Sequence, residues 1–266
     1  MGVDRRAASG FATVADAYER GRPSYPSELI DRVAGYFDLS GSSSVLDLAA
    51  GTGQLSRLLH RRVGQTIAVE PMPMMRAKIA AELPDVSVLD GTAESIPLDA
   101  GTLDAVVVGE AFHWFSTAAA TAEIARVLTE IGGVALLWNT PTWTTATTPW
   151  LDDFRRIVAH HKDAAGSYPA GAASWQAPFE HTGLFDALTH VQARHAQTLE
   201  PVDFLAQVAS WSWIANLEPD QRQLVLDDVG TVVRDLDDIV ISYRTDLYMA
   251  RRRRRDSAAG LRKAPR

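Results

Sequence analysis

Residues 47 to 56 read DLAAGTGQLS. From Gly51 this is Gly-Thr-Gly-Gln-Leu-Ser, a G-x-G-x-x-G fingerprint with Ser56 in place of the third glycine. A short apolar run, Ser43 to Leu48, precedes it, and Leu55, Leu58 and Leu59 follow at helical spacing. The stretch is therefore a glycine turn between a buried strand and a helix, where backbone can approach a ligand without Cβ interference.

Outward from this turn, strand and helix signals alternate from residue 26 to 138. Leu29, Ile30, Val33 and Phe37 stripe a helix after Pro26. Thr66 to Val69 is a strand, and Met75, Ile79 and Leu83 mark a helix stopped by Pro84. Val86, Val88 and Leu89 form a strand edge, and Ala105 to Val108 a buried strand. Ile124, Val127, Leu128 and Ile131 predict a helix ending at Gly132-Gly133, before a strand from Val134 to Trp138. Such alternation implies right-handed βαβ units and a parallel sheet.

Beyond Asn139 the chain changes character. A Thr/Pro-rich connection leads to a helix with Phe154, Ile157 and Val158 inward, then an irregular loop over 161–178. A strand is expected over 185–199. Two helices follow, striped by Val202, Leu205, Val208 and by Val225, Val229, Val232, Leu236. Ile239, Ile241, Tyr243, Leu247 and Met249 then alternate at period two, a strand with one buried face.

The 266 residues suffice for a sizeable core. The absence of cysteine excludes disulfides and thiolate chemistry. His160, His161, His181, His190 and His195 show no metal-ligand spacing, so no metal is expected. Residues 251–266 carry eight Lys/Arg and one Asp, a net +7, so a chain of −7 has a body of −14 over residues 1–250. That body would repel nucleic-acid phosphates, and the basic end reads as a solvated, disordered tail. With neither a secretory h-region nor a bilayer-length apolar run, a cytoplasmic protein is expected.

Glu70 ends the strand after the turn, nineteen residues beyond Gly51, where a carboxylate can accept from both ribose hydroxyls. NAD and S-adenosyl-L-methionine both carry that ribose. Asp47 separates them: a carboxylate here would repel a pyrophosphate but favour an ammonium and a sulfonium. The plainer reading of Asp47 is a cap on local amides.

On these residues the chain resembles class I S-adenosylmethionine-dependent methyltransferases. The likeness is to the small-molecule subgroup that includes trans-aconitate methyltransferase-like proteins. Asp47 to Gly53 resembles the first motif, and Ala68-Val69-Glu70-Pro71 the acidic ribose motif. Gly91-Thr92-Ala93-Glu94 with Ile96-Pro97 resembles the adenine-side motif, with Thr92 where many members have aspartate. Leu103 to Val108 and Ala111 to Phe115 resemble strand four and its exit. Tyr18, Arg22, Pro23, Tyr25 and Pro26 match the subgroup's Tyr-x-x-x-Arg-Pro-x-Tyr-Pro element.

The resemblance implies an α/β fold: a doubly wound, mostly parallel seven-stranded sheet with a helical lid inserted before the last strand. Residues 1–40 would form an N-terminal cap segment and 41–140 the cofactor-binding core. Residues 141–250 would complete the sheet and supply the lid, with 251–266 the tail. Cofactor contacts are expected from Tyr18, Arg22, Asp47, Ala49, Gly51, Gly53, Glu70, Met72, Thr92, Ala93 and Glu110. Arg22 would pair with the cofactor carboxylate or pin its segment by a salt bridge. Tyr25, His113, Trp114, Trp138 and Trp213 are the candidates for binding a small-molecule acceptor, although buried aromatics also serve simply as core. His113 would orient the acceptor or act as a base. No nucleic-acid or membrane partner is expected, and the chain would act as a monomer or homodimer. A nicotinamide oxidoreductase and a non-catalytic cofactor-binding protein are the alternatives.

Overall fold

In the computed structural model, residues 21–143, 148–164 and 174–254 are described. Seven strands form one sheet in the order β3-β2-β1-β4-β5-β7-β6. They are β1 (Ser44–Leu48), β2 (Gln65–Val69), β3 (Ser87–Leu89), β4 (Leu103–Gly109), β5 (Leu128–Pro141), β6 (Thr189–Leu199) and β7 (Ile239–Arg251). The first five run parallel, and β7 is antiparallel to both β5 and β6. The order reverses between β1 and β4, and ligands of open α/β sheets bind beyond the strand ends at such a switch point.

Both faces of the parallel strands are buried, which explains their continuous apolar runs. On one face Leu46, Leu48, Val106, Val108 and Leu136 pack with Ile124, Ala125 and Phe179. Ile124 and Ala125 lie on α4 (Ala118–Val127), and Phe179 on α6 (Ala177–Thr182). On the other, Val45, Val107 and Leu137 meet Leu29, Ile30, Val33 and Phe37 of α1 (Ser27–Phe37). Two further helices flank β2, α2 (Gln54–Leu59) and α3 (Pro73–Glu82). A third core joins Ile239, Ile241 and Tyr243 to a helical layer. That layer is α5 (Pro149–Ala164), α7 (Pro201–Ala209), α8 (Ser212–Ala215) and α9 (Pro219–Val233). Phe154 and Phe204, 5.2 Å apart between ring centroids, lie inside it.

The structure corrects four details of the sequence reading. First, α4 stops at Val127, and Leu128 begins β5. Leu103 pairs with Leu128 but Ala105 with Gly133, so Leu128–Gly132 bulges out of register and leaves Ile131 exposed. Leu128 and Ile131 merely coincide with the helical spacing. Second, the strand expected from Phe185 begins at Thr189, Phe185 making only an isolated bridge to Arg252. Third, Val202 points outward and Phe204 takes its place in the core. Fourth, Arg251–Arg253 are not a free tail. Arg251 donates to the Ile131 carbonyl at 2.9 Å, and the Arg252 side chain to that of Leu128. The Arg252 and Arg253 amides donate to Gly132 and Leu184 carbonyls at 2.8 Å each. Arg251 and Arg252 thus satisfy carbonyls of the bulge, while Arg253 ties the chain to the loop before β6.

Candidate cofactor and acceptor site

At the carboxyl ends of β1, β4 and β5 lies a cavity bordered by the glycine turn. Arg22, Tyr25, Asp47, Ala49, Gly51 and Glu110 of the predicted residues line it. Pro23, Thr52, Gln54, Gly109 and Asn139 join them. Ala49, Gly51, Gly53 and Glu110 all hold positive φ, between 56° and 84°. For Ala49 and Glu110 this is a strained conformation, of the kind that concentrates at functional sites. Gly53 caps α2 at φ 84°, a conformation that favours glycine, and a Cβ there would also press on Ile79 at 3.1 Å.

Asp47 is 1% exposed. Its Oδ2 accepts from the Ser56 amide at 2.8 Å and the Ser56 hydroxyl at 2.6 Å. The residue replacing the third glycine thus binds the aspartate, and the local-capping role is real while the residue still borders the cavity. Burial pushes the Asp47 carboxyl up to about 6, against the pull of Ser56. Glu70 has both oxygens engaged: Oε2 accepts from the Gly51 amide at 2.9 Å and Oε1 from the Met72 amide at 3.0 Å. Burial raises it to about 7. In this state Glu70 clamps the turn, and any ribose contact would use its remaining lone pairs.

Glu110 accepts from the Asn139 amide, and withdrawal from water raises its pKa while the charge of Arg22 lowers it. Arg22 donates to the Ser210 carbonyl at the end of α7, 3.2 Å away, and its own carbonyl accepts from Gln54 at 3.3 Å. Gly109 must be glycine, because a Cβ there would collide with the Tyr25 hydroxyl.

His113 lies in a 3-10 turn, Phe112–Trp114, just past β4. Trp138 Nε1 donates to its Nδ1 at 3.3 Å, which places the proton of the neutral ring on Nε2. Burial, and then Arg22, lower its pKa. Trp138 packs on Trp175 at 4.6 Å, and Trp114 sits 4.9 Å from the His113 ring. Trp213, on α8, packs against the helical core.

Gly53, Glu70, Met72, Thr92 and Ala93 do not line the cavity. Glu70 and Met72 follow β2, and Thr92 and Ala93 follow β3, where Thr92 and Ser95 bridge. Tyr18 lies outside the described residues. Sequence reasoning missed Thr52, Gln54, Gly109 and Asn139. The signal for Asn139 was available, since a polar residue ends the run Val134 to Trp138 at the same sheet edge as Glu110.

The protein is thus an α/β domain with a seven-stranded sheet, an antiparallel β7 and a glycine-turn cavity at the switch point. By comparison, residues 46–136 match the family model described as a methyltransferase domain. An uncharacterized methyltransferase of Mycobacterium tuberculosis is 47% identical over 130 residues, covering 49% of this chain and 52% of the relative. The chain thus spans about half the length of the curated relatives it matches at this identity. An uncharacterized methyltransferase-like protein of Schizosaccharomyces pombe is 29% identical over 242 residues, 88% of this chain and 92% of that one. Among solved structures, a candidate type II methyltransferase from Anaeromyxobacter dehalogenans superposes with a TM-score of 0.61 at 18% identity. It covers 88% of this chain and 99% of its own. That likeness shows the fold.

Proposed function

We propose that this chain transfers the methyl group of S-adenosyl-L-methionine to a small-molecule acceptor by in-line displacement. The observation that carries this is the charge set of the cavity, two carboxylates, Asp47 and Glu110, beside one guanidinium, Arg22. A cationic centre with its own carboxylate suits such a set, and a pyrophosphate does not. The fit extends to Thr52, whose buried hydroxyl has no hydrogen-bond partner among the described residues and belongs to a residue that borders the same cavity. When bound, the cofactor supplies an electrophilic methyl on a sulfonium.

Asp47 and Glu110 would hold the positive end, Arg22 the carboxylate and Glu70 the turn, with Gly51 and Gly53 allowing close backbone approach. Tyr18, Met72, Thr92 and Ala93 would complete the adenosine side. Tyr25, Trp114, Trp138 and Trp213 would bound the acceptor, and the helical layer would act as a lid that excludes water. His113 would orient the acceptor through its Nε2–H. Its basic nitrogen, Nδ1, is turned to the Trp138 indole, and its lowered pKa disfavours taking a proton. A carboxylate acceptor fits this role, because it is ionised before attack. The Tyr-x-x-x-Arg-Pro-x-Tyr-Pro element of the small-molecule subgroup supports the choice of acceptor. The chain would work in the cytoplasm as a monomer or homodimer. Among the described residues no helix is long and apolar enough to cross a membrane, and no cluster could hold a metal.

Separate calorimetric titrations with S-adenosylhomocysteine and NADH test the cofactor. Binding of the first alone is expected, and binding of NADH alone would overturn the reading. Screening a metabolite panel for S-adenosylhomocysteine release then identifies the acceptor.

A further inference from the structure

The register of β5, β7 and β6 sets out ranks of side chains on one sheet face. Thr140 stands opposite Arg244, and Arg244 opposite Arg194. One rank back, Trp138 stands opposite Asp246, and Asp246 opposite Gln192. Cross-strand partners share a face. Thr140, Arg244, Arg194 and Gln192 are all exposed, whereas the helical layer packs against Ile239, Ile241 and Tyr243, which point the other way. The exposed ranks continue directly from Trp138, whose indole donates to His113.

Two guanidiniums directly opposite each other repel. Asp246 relieves only one of them. Its Oδ2 accepts from Arg244 Nε at 2.9 Å, while Oδ1 is occupied by His190 at 2.8 Å and Gln192 at 2.9 Å. The Arg194 side chain makes no hydrogen bond or ion pair to any described residue. In a chain of net charge −7, an arginine left without a counter-charge opposite a second arginine, one rank from Trp138, is a feature that folding does not require.

We propose that Arg194 and Arg244 form a recognition strip for an anionic group of the acceptor, a carboxylate or phosphate remote from the atom methylated. The inference deepens the small-molecule reading above and rests on it. Planar guanidiniums suit both anions bidentately, and Thr140 adds a hydroxyl at the same rank. Trp138, between the strip and His113, offers an apolar surface for the body of the acceptor. The strip thus selects acceptors that carry a charge several bonds from the reacting centre.

The test uses the full chain saturated with S-adenosylhomocysteine and titrated calorimetrically with glutarate, inorganic phosphate and neutral glutaramide. Saturable binding of an anion and none of glutaramide is expected, and the tighter anion identifies carboxylate or phosphate as the source. R194E should weaken anion binding by about tenfold or more, the scale of one charge-assisted hydrogen bond. R194K should retain part of it, and R194A should fall between. Because Arg194 is exposed, the melting temperature and S-adenosylhomocysteine affinity should stay at wild-type values. Undiminished anion binding by R194E, or no saturable binding by the wild type, overturns the strip. Failure of S-adenosylhomocysteine itself to bind overturns instead the cofactor reading beneath it.

Discussion

At the scale of single residues, the site is built from side chains that hold backbone before they hold ligand. Glu70 is the clearest case, with one oxygen on the Gly51 amide and the other on that of Met72. Glu70→Ala leaves the Gly51 amide of the turn and the Met72 amide after β2 unpaired, so both fold stability and cofactor affinity should fall, each by roughly 1–3 kcal/mol. Thermal melting and calorimetry with S-adenosylhomocysteine measure the two losses, and a folded variant with unchanged affinity would remove Glu70 from the cofactor site. His113 gives the opposite test. His113→Asn keeps hydrogen-bonding capacity but cannot titrate near neutrality. If the imidazole only orients, its activity should stay within about tenfold of wild type and its pH–rate profile should be unchanged. A loss of about a hundredfold or more, together with disappearance of a titration below the ordinary histidine range, would make His113 the base and move the acceptor to a hydroxyl, amine or carbon.

At the scale of elements, β1, β2, β4 and the first helices were legible because buried parallel strands and amphipathic helices write strong periodic signals. Leu29, Ile30, Val33 and Phe37 all face the core as their spacing requires. The end of α4 was not legible, because Leu128 and Ile131 fall at helical spacing while strand pairing to Leu103 claims Leu128. What holds that bulge comes from the far end of the chain, in Arg251 and Arg252, and no local pattern announces a contact across more than a hundred residues. This divides the basic end into two parts by stability. Truncation after Arg254 should leave the melting temperature unchanged. Truncation after Ala250 removes several hydrogen bonds to the bulge and should cost about 1–3 kcal/mol. Equal melting temperatures for the two truncations would show that the arginines contribute nothing.

At the scale of the whole molecule, Asp47 and Glu110 border the cavity while Glu70 clamps its glycine turn from behind, and the burial of the three carboxyl groups sets their pH response. The residue types were readable in sequence, since Asp47 and Glu70 stood out on the ends of apolar runs. Their degree of engagement was not, because Ser56 and Met72 capture them only once strands and helices are in place. Asp47 is raised to about 6, Glu70 to about 7, and Glu110 also upward, all chiefly by burial. In the unfolded chain such groups titrate near ~4. Between pH ~4 and ~7 these three carboxyl groups therefore bind more protons in the folded chain than in the unfolded one, and their contribution to stability falls as pH rises through that window, while His113 and His195, both lowered by burial, contribute in the opposite sense. Charging the buried groups is the cost. A cationic ligand reverses its consequence: it binds best when Asp47 and Glu110 are ionised and their negative charge is available. Affinity for S-adenosyl-L-methionine should accordingly rise between pH ~5.5 and ~7.5, by at most about tenfold per pH unit for each linked proton, with protons released on binding. Calorimetry in two buffers of different ionisation enthalpy measures that release directly. Proton uptake, or an affinity flat across the same range, would mean that these carboxyl groups do not face the positive end of the cofactor.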